Sequence, residues 1–342
     1  MKRAYFVGAL GALVGTFLGL ASCSEANTTT PATTPKDSGV GTDTGGTTTD
    51  TGGTTTDTGG TTTDTGGGSK CPATLKEGSI ESFRDPASAT KAIPNDGVKL
   101  TGVIATSIKY RTRNPKKAGD DCIFAFFVAD ANATFKANSG IQVFAYGDPA
   151  VATDSGGATC PLGTDFIPDG VKPGDKVDLS GTYLEFGPSS ATCGAGTPPV
   201  SPPIPEKMPQ IRACALTAAG AGTLPAAAVV TAAQLETRLP DAGVASGAEV
   251  LKWAGGLVKI ENVESASALD FGAFVVKGSR LEVTDLIYYR GAATAPTVKA
   301  GDTFTSITGL MLLDFCTWSL APSKCSDMVP ASGSGAKCPT GG

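Results

Sequence analysis

Gly174-Asp175-Lys176-Val177-Asp178-Leu179-Ser180-Gly181-Thr182-Tyr183-Leu184-Glu185-Phe186 opens on a turn and then alternates apolar with polar residues. That is the period-two pattern of a strand with one buried face. Working outward, Val98–Ala105 alternates in the same way and carries an internal Gly102, as strands do where a sheet bends or another backbone approaches. Cys122–Val128 and Gly140–Tyr146 are rich in β-formers, and Gln210–Leu216 is a fifth candidate. Five strands within about 120 residues suit a small closed or nearly closed β-barrel, because a sheet this short must manage its edges. A Gly-rich β-sandwich shares the same strand spacing.

The second half repeats the pattern. Val230–Leu235 reads as a capped helix start with Thr231 at the N-cap, and Glu249–Trp253 ends at Gly255-Gly256. A strand, Leu257–Val263, follows, and Gly301-Asp302 opens another turn-then-strand phrase that runs through Ser306-Ile307-Thr308-Gly309. The fold class expected is therefore mainly β: two small barrels in tandem, over residues 71–218 and 219–342. The 45 Gly and 23 Pro, about a fifth of the 342 residues against about an eighth in an average chain, fit many short strands and turns.

Several phrases are similar to a known module. Leu100–Thr106, Phe127–Asp130, Gly140–Asp148 and Val171–Phe186 occur in the order seen in the OB-fold module that accompanies secreted bacterial endonucleases and also occurs alone in lipoproteins. Gly255–Ser265, Phe274–Val276, Leu281–Asp285 and Gly301–Asp327 resemble a second copy. The resemblance implies two OB-like barrels over roughly residues 95–216 and 230–330. Cys316 departs from it, standing where an apolar residue or Gly is expected before the last strand.

Before the barrels lies an address and a spacer. Lys2 and Arg3 precede an uncharged apolar stretch, Ala4–Leu20, short for a spanning helix and suited to a secretory signal. Leu20-Ala21-Ser22-Cys23 resembles the bacterial lipobox, which implies a signal peptide over residues 1–22, lipid on Cys23 and a membrane partner reached through that lipid. Ser24 after the cysteine points to the outer membrane. Residues 23–70 then read as lipidated Cys and disordered tether. Thr47–Gly53, Thr54–Gly60 and Thr61–Gly67 are three copies of one Thr-Thr-Thr-Asp-Thr-Gly-Gly repeat, too poor in apolar residues to repay ordering. As a flexible coil the spacer would span about 40 Å.

The cysteines agree with export. With Cys23 set aside, Cys71, Cys122, Cys160, Cys193, Cys214, Cys316, Cys325 and Cys338 remain, an even number that implies up to four disulfides. Short spacing and loop context favour Cys316 with Cys325 and Cys160 with Cys193. No Cys-x-x-Cys occurs, so zinc is not expected.

Function is bounded mostly by exclusion. The chain has no histidine, which removes Ser-His-Asp triads and His-ligated zinc hydrolases. It has no Gly-x-x-x-x-Gly-Lys-Ser/Thr loop and no Gly-x-Ser-x-Gly elbow, and Asp120-Asp121 alone cannot build a two-metal centre. No cofactor and no enzymatic activity are expected. The candidate ligand site is Lys109-Tyr110-Arg111-Thr112-Arg113-Asn114-Pro115-Lys116-Lys117, five cations with one aromatic and no acid, between the first two strands. In OB-folds that connection belongs to the ligand face, so an anionic polysaccharide, a nucleic acid or an envelope protein is the expected partner. The net charge of −5 argues against a dedicated nucleic-acid binder. The competing expectation is a structural or assembly lipoprotein whose barrels dock proteins, with burial of the basic loop or its neutralisation by Asp120 and Asp121 as the discriminating observation.

Overall fold

A computed structural model describes residues 70–112, 114–154, 156–187, 207–236, 248–269, 272–288, 296–314 and 317–338. The chain is mainly β, and the strands fall close to the positions expected from alternation. In the first half, β1 (Lys76–Glu77) and α1 (Ile80–Arg84) lead into β2 (Gly97–Ala105), followed by β3 (Tyr110–Arg111), β4 (Cys122–Ala129) and β5 (Gly140–Gly147). A small hairpin of β6 (Val151–Ala152) and β7 (Ala158–Thr159) precedes β8 (Asp175–Phe186) and β9 (Met208–Ala221). The second half runs β10 (Ala228–Val229), α2 (Ala232–Leu235), α3 (Ala248–Trp253), β11 (Leu257–Glu264), β12 (Ala273–Val275), β13 (Glu282–Thr284), β14 (Thr303–Asp314), β15 (Thr317–Ala321) and β16 (Met328–Pro330).

The pairings repeat between halves. In the first, β2 pairs antiparallel with both β8 and β4, β4 with β5, β5 runs parallel to β9, and β9 returns antiparallel to β8. Each of these five strands thus has a neighbour on both sides. In the second, β11 pairs with β14, β14 with β15, β15 runs parallel to β13, and β13 pairs with β12. A single bridge, Ser265–Val276, joins the ends of β11 and β12. Each half also places a two-residue strand parallel to its first long strand, β1 on β2 and β10 on β11.

The repeat extends to individual side chains. Gly181 of β8 pairs with Val98, and Gly309 of β14 pairs with Val258, the second residue of the first long strand in each case. A Cβ at Gly181 would lie 2.4 Å from the Arg212 carbonyl oxygen, and one at Gly309 would lie 2.8 Å from the Ala321 backbone. Both glycines are required where the fourth strand presses on the fifth. The turns before these strands match too. Asp175 accepts the Lys172 amide at 3.0 Å and Asp302 accepts the Lys299 amide at 2.7 Å, each across a left-handed glycine, Gly174 or Gly301.

Two apolar clusters organise the body, and β4 serves both. Phe124, Phe126 and Val128 point into the first half's own core with Val98, Leu100, Ile141 and Leu179. Ala125, Phe127 and Ala129 alternate to the opposite face and join a cluster that holds Val258, Ile260, Phe304, Leu310 and Trp318 of the second half. Burial on both faces explains why Cys122–Ala129 reads as an unbroken apolar run. Tyr110 and Phe127 belong to the cluster shared with the second half, Phe144 packs against it, and Tyr146 is 45% exposed.

Both expected disulfide pairings are overturned. Cys160 bonds Cys122 and Cys325 bonds Cys338, while Cys71 bonds Cys214. Spacing misled because tertiary contacts bring distant segments together. Lys337 bridges back to Thr297 and the Gly335 amide donates to Asp302, carrying Cys338 to Cys325. Cys193 and Cys316 lie outside the described residues, as do residues 1–69 with Cys23 and the tether.

Candidate functional site

The basic segment between β2 and β4 divides into a buried part and an exposed part. Lys109 has a side chain only 5% exposed and sits between two carboxylates, 2.6 Å from Asp165 and 2.5 Å from Asp169. Its Nζ also donates to the Ile167 carbonyl at 2.8 Å and lies 4.5 Å above the Phe124 ring. Asp165 is itself fully buried, whereas Asp169 is 45% exposed. The hydrogen bond from Lys109 holds the Asp169 carboxyl below its ordinary range. The cation that sequence reading placed on a ligand face is spent internally, tying the β2–β4 connection to the segment before β8.

Tyr110 is spent too. It is buried, stacks on Phe127 with ring centroids 6.0 Å apart, and its hydroxyl accepts from Gln142, which in turn accepts from Gln210. Arg111 is half-buried and donates to Asn114. Arg113 lies outside the described residues. Lys116 and Lys117 are the exposed remainder, and the Asp120 carboxylate accepts both of their backbone amides, at 2.8 and 3.1 Å. Among the described residues, the segment expected to present six ligand residues leaves two lysines exposed, on a turn closed by an acid. Asp120 and Asp121 each have further interactions.

One face of β4 is covered as well. OB-type barrels offer ligands the outer face of their second and third strands, and under the expected OB-like reading those would be β4 and β5. Ala125, Phe127 and Ala129 of β4, with Tyr110 of the neighbouring β3, are buried in the cluster completed by the second half.

A separate cleft of about 270 Å³ lies between α1 and the β2 bend, lined by Ser79, Glu81, Thr101, Gly102, Asp130 and Asn132 among others. Of its two carboxylates, Asp130 is engaged: it accepts the Ile80 amide at 2.8 Å and the Glu81 amide at 2.9 Å. Burial raises the Asp130 carboxyl above its ordinary range despite those bonds. Among the described residues no three cysteines or carboxylates gather as a metal site, and no helix is long and apolar enough to cross a membrane.

Sequence reading missed Asp165 and Asp169 as partners of Lys109, and it missed Arg84. No local pattern marks an ion pair fifty-odd residues apart. The two-sided burial of β4 did leave a signal, the unbroken apolar run. No protein-family model matches the chain, and no curated protein matches it.

Proposed function

We propose that this chain is a non-catalytic envelope lipoprotein, held on the outer membrane through Cys23, whose two OB-like barrels form one body that docks other envelope proteins. The pairing order shared by the halves, with β5–β9 parallel in one and β13–β15 parallel in the other and the Ser265–Val276 bridge between the ends of the second path, supports the OB-like reading. The observation that carries the docking reading is the burial of Lys109 and Tyr110. The polymer-binding alternative loses its central cation and its aromatic, and the strand face beside them is already covered. Among the described residues, large apolar side chains stand exposed, among them Ile93, Leu162 and Val229. Lipidation through two or more chains would hold such a body firmly at the membrane.

The mature full-length protein tests this in two arms. Titration with single-stranded DNA, an acidic polysaccharide and a neutral glucan at two salt concentrations should give no salt-sensitive binding. Cross-linking in intact envelopes should join the protein to one discrete protein partner, and Cys23→Ala should abolish both acyl labelling and that product. Salt-sensitive polymer binding that Lys116→Ser with Lys117→Ser removes would restore the polymer reading, since the salt slope counts displaced counterions.

A further inference from the structure

Arg84 closes α1, is buried, and bridges the two halves. One guanidinium nitrogen donates to the Gly140 carbonyl at the start of β5 and, at 2.6 Å, to the Ala254 carbonyl. The other donates to the Leu251 carbonyl. Leu251 and Ala254 lie in the last turn of α3 and just beyond it, where backbone carbonyls lack a full set of intrahelical donors. The second half's helix thus takes its C-terminal cap from a residue of the first half, at sequence separations of 170 and 167.

Among the described residues the guanidinium's hydrogen-bond partners are backbone carbonyls, with no carboxylate. Burial therefore pulls Arg84 down to about 10, with Tyr183 and Asp130 opposing at longer range. A buried cation in this state is tolerated only while its carbonyls stay in place. The seam around it is close-packed. The Asn138 amide donates to the Lys252 carbonyl at 2.7 Å, and a Cβ at Gly140 would lie 2.4 Å from the Gly255 carbonyl oxygen. Gly140 pairs with Ala129 and Gln142 with Phe127, so the seam is continuous with the face on which Phe127 and Tyr110 are covered.

We propose that Arg84 is a conformational latch, holding the α3–β11 turn on the first half and so keeping the aromatic face of β4 closed. When the latch is lost the seam opens locally, while the long hairpins of each half stay intact. Elsewhere the seam holds amide–carbonyl bonds, the Leu313 amide on the Met208 sulfur at 3.4 Å and apolar packing.

Hydrogen exchange on the full mature chain with its disulfides intact tests this. Arg84→Ala should speed exchange by at least about tenfold at residues 138–142 and 249–256, the scale expected for losing a charge-assisted bond. Exchange in β8–β9 and in β11–β14 should stay at the wild-type rate. Arg84→Lys, which keeps the charge but reaches fewer carbonyls, should give a smaller opening at the same segments, and it supplies both readouts if the alanine variant does not fold. Acceleration of all segments together would show global destabilisation and overturn the latch. So would an unchanged rate at the seam.

Discussion

Replacing Lys109 with Met separates a structural cation from a ligand-binding one. The substitution keeps an unbranched apolar stem over Phe124 but removes the charge between Asp165 and Asp169. Asp169 is nearly half exposed and can return to water. Asp165 is fully buried, and its 2.6 Å contact with Lys109 is charge against charge. An unpaired buried carboxylate of this kind costs about 3–5 kcal/mol, a large part of the roughly 5–15 kcal/mol that holds a domain folded. Urea unfolding under non-reducing conditions, followed by tryptophan fluorescence, should show the midpoint falling at unchanged slope. Lys109→Met with Asp165→Asn should recover part of the loss, giving a coupling of at least about 1 kcal/mol in the double-mutant cycle. Lys116→Ser and Lys117→Ser, on the exposed turn, should each stay within about 0.5 kcal/mol of wild type. If Lys109→Met were as stable as wild type, or the two surface lysines cost as much, the division into buried tie and solvated turn would be wrong.

The internal repeat makes a paired prediction. Gly181→Ala and Gly309→Ala should each destabilise by about 1–3 kcal/mol, because either methyl would overlap the neighbouring strand's backbone. Thermal unfolding of both variants checks it, and a neutral result at one site alone would break the equivalence of β8 and β14. For the disulfides, non-reducing peptide mapping should recover Cys71–Cys214, Cys122–Cys160 and Cys325–Cys338. Loop-entropy scaling makes the 143-residue closure worth about 5 kcal/mol and the 13-residue closure about 3. The Cys71→Ser, Cys214→Ser pair should thus lower the midpoint more than Cys325→Ser with Cys338→Ser.

Strand positions were legible in the chain because alternation is a local signal. Val98–Ala105, Gly140–Tyr146 and Val177–Phe186 place one face in the core whatever else surrounds them, and Gly174-Asp175 and Gly301-Asp302 announce the turns by their own chemistry. The absence of histidine was an equally local fact, and it bounded the available side-chain chemistry without coordinates. Partnership is another matter. Whether Lys109 meets solvent, a ligand or Asp165 depends on segments more than fifty residues apart, and desolvation acts only once those segments close around it. The pairing of Cys325 with Cys338 rather than Cys316 follows from a tail that folds back on β14, not from spacing. Arg84 reads in sequence as one more basic residue in a short helix. Only the seating of α3 beside β5 turns it into a buried tie between the halves, because a long-range contact is paid for by tertiary packing and leaves no period in the chain.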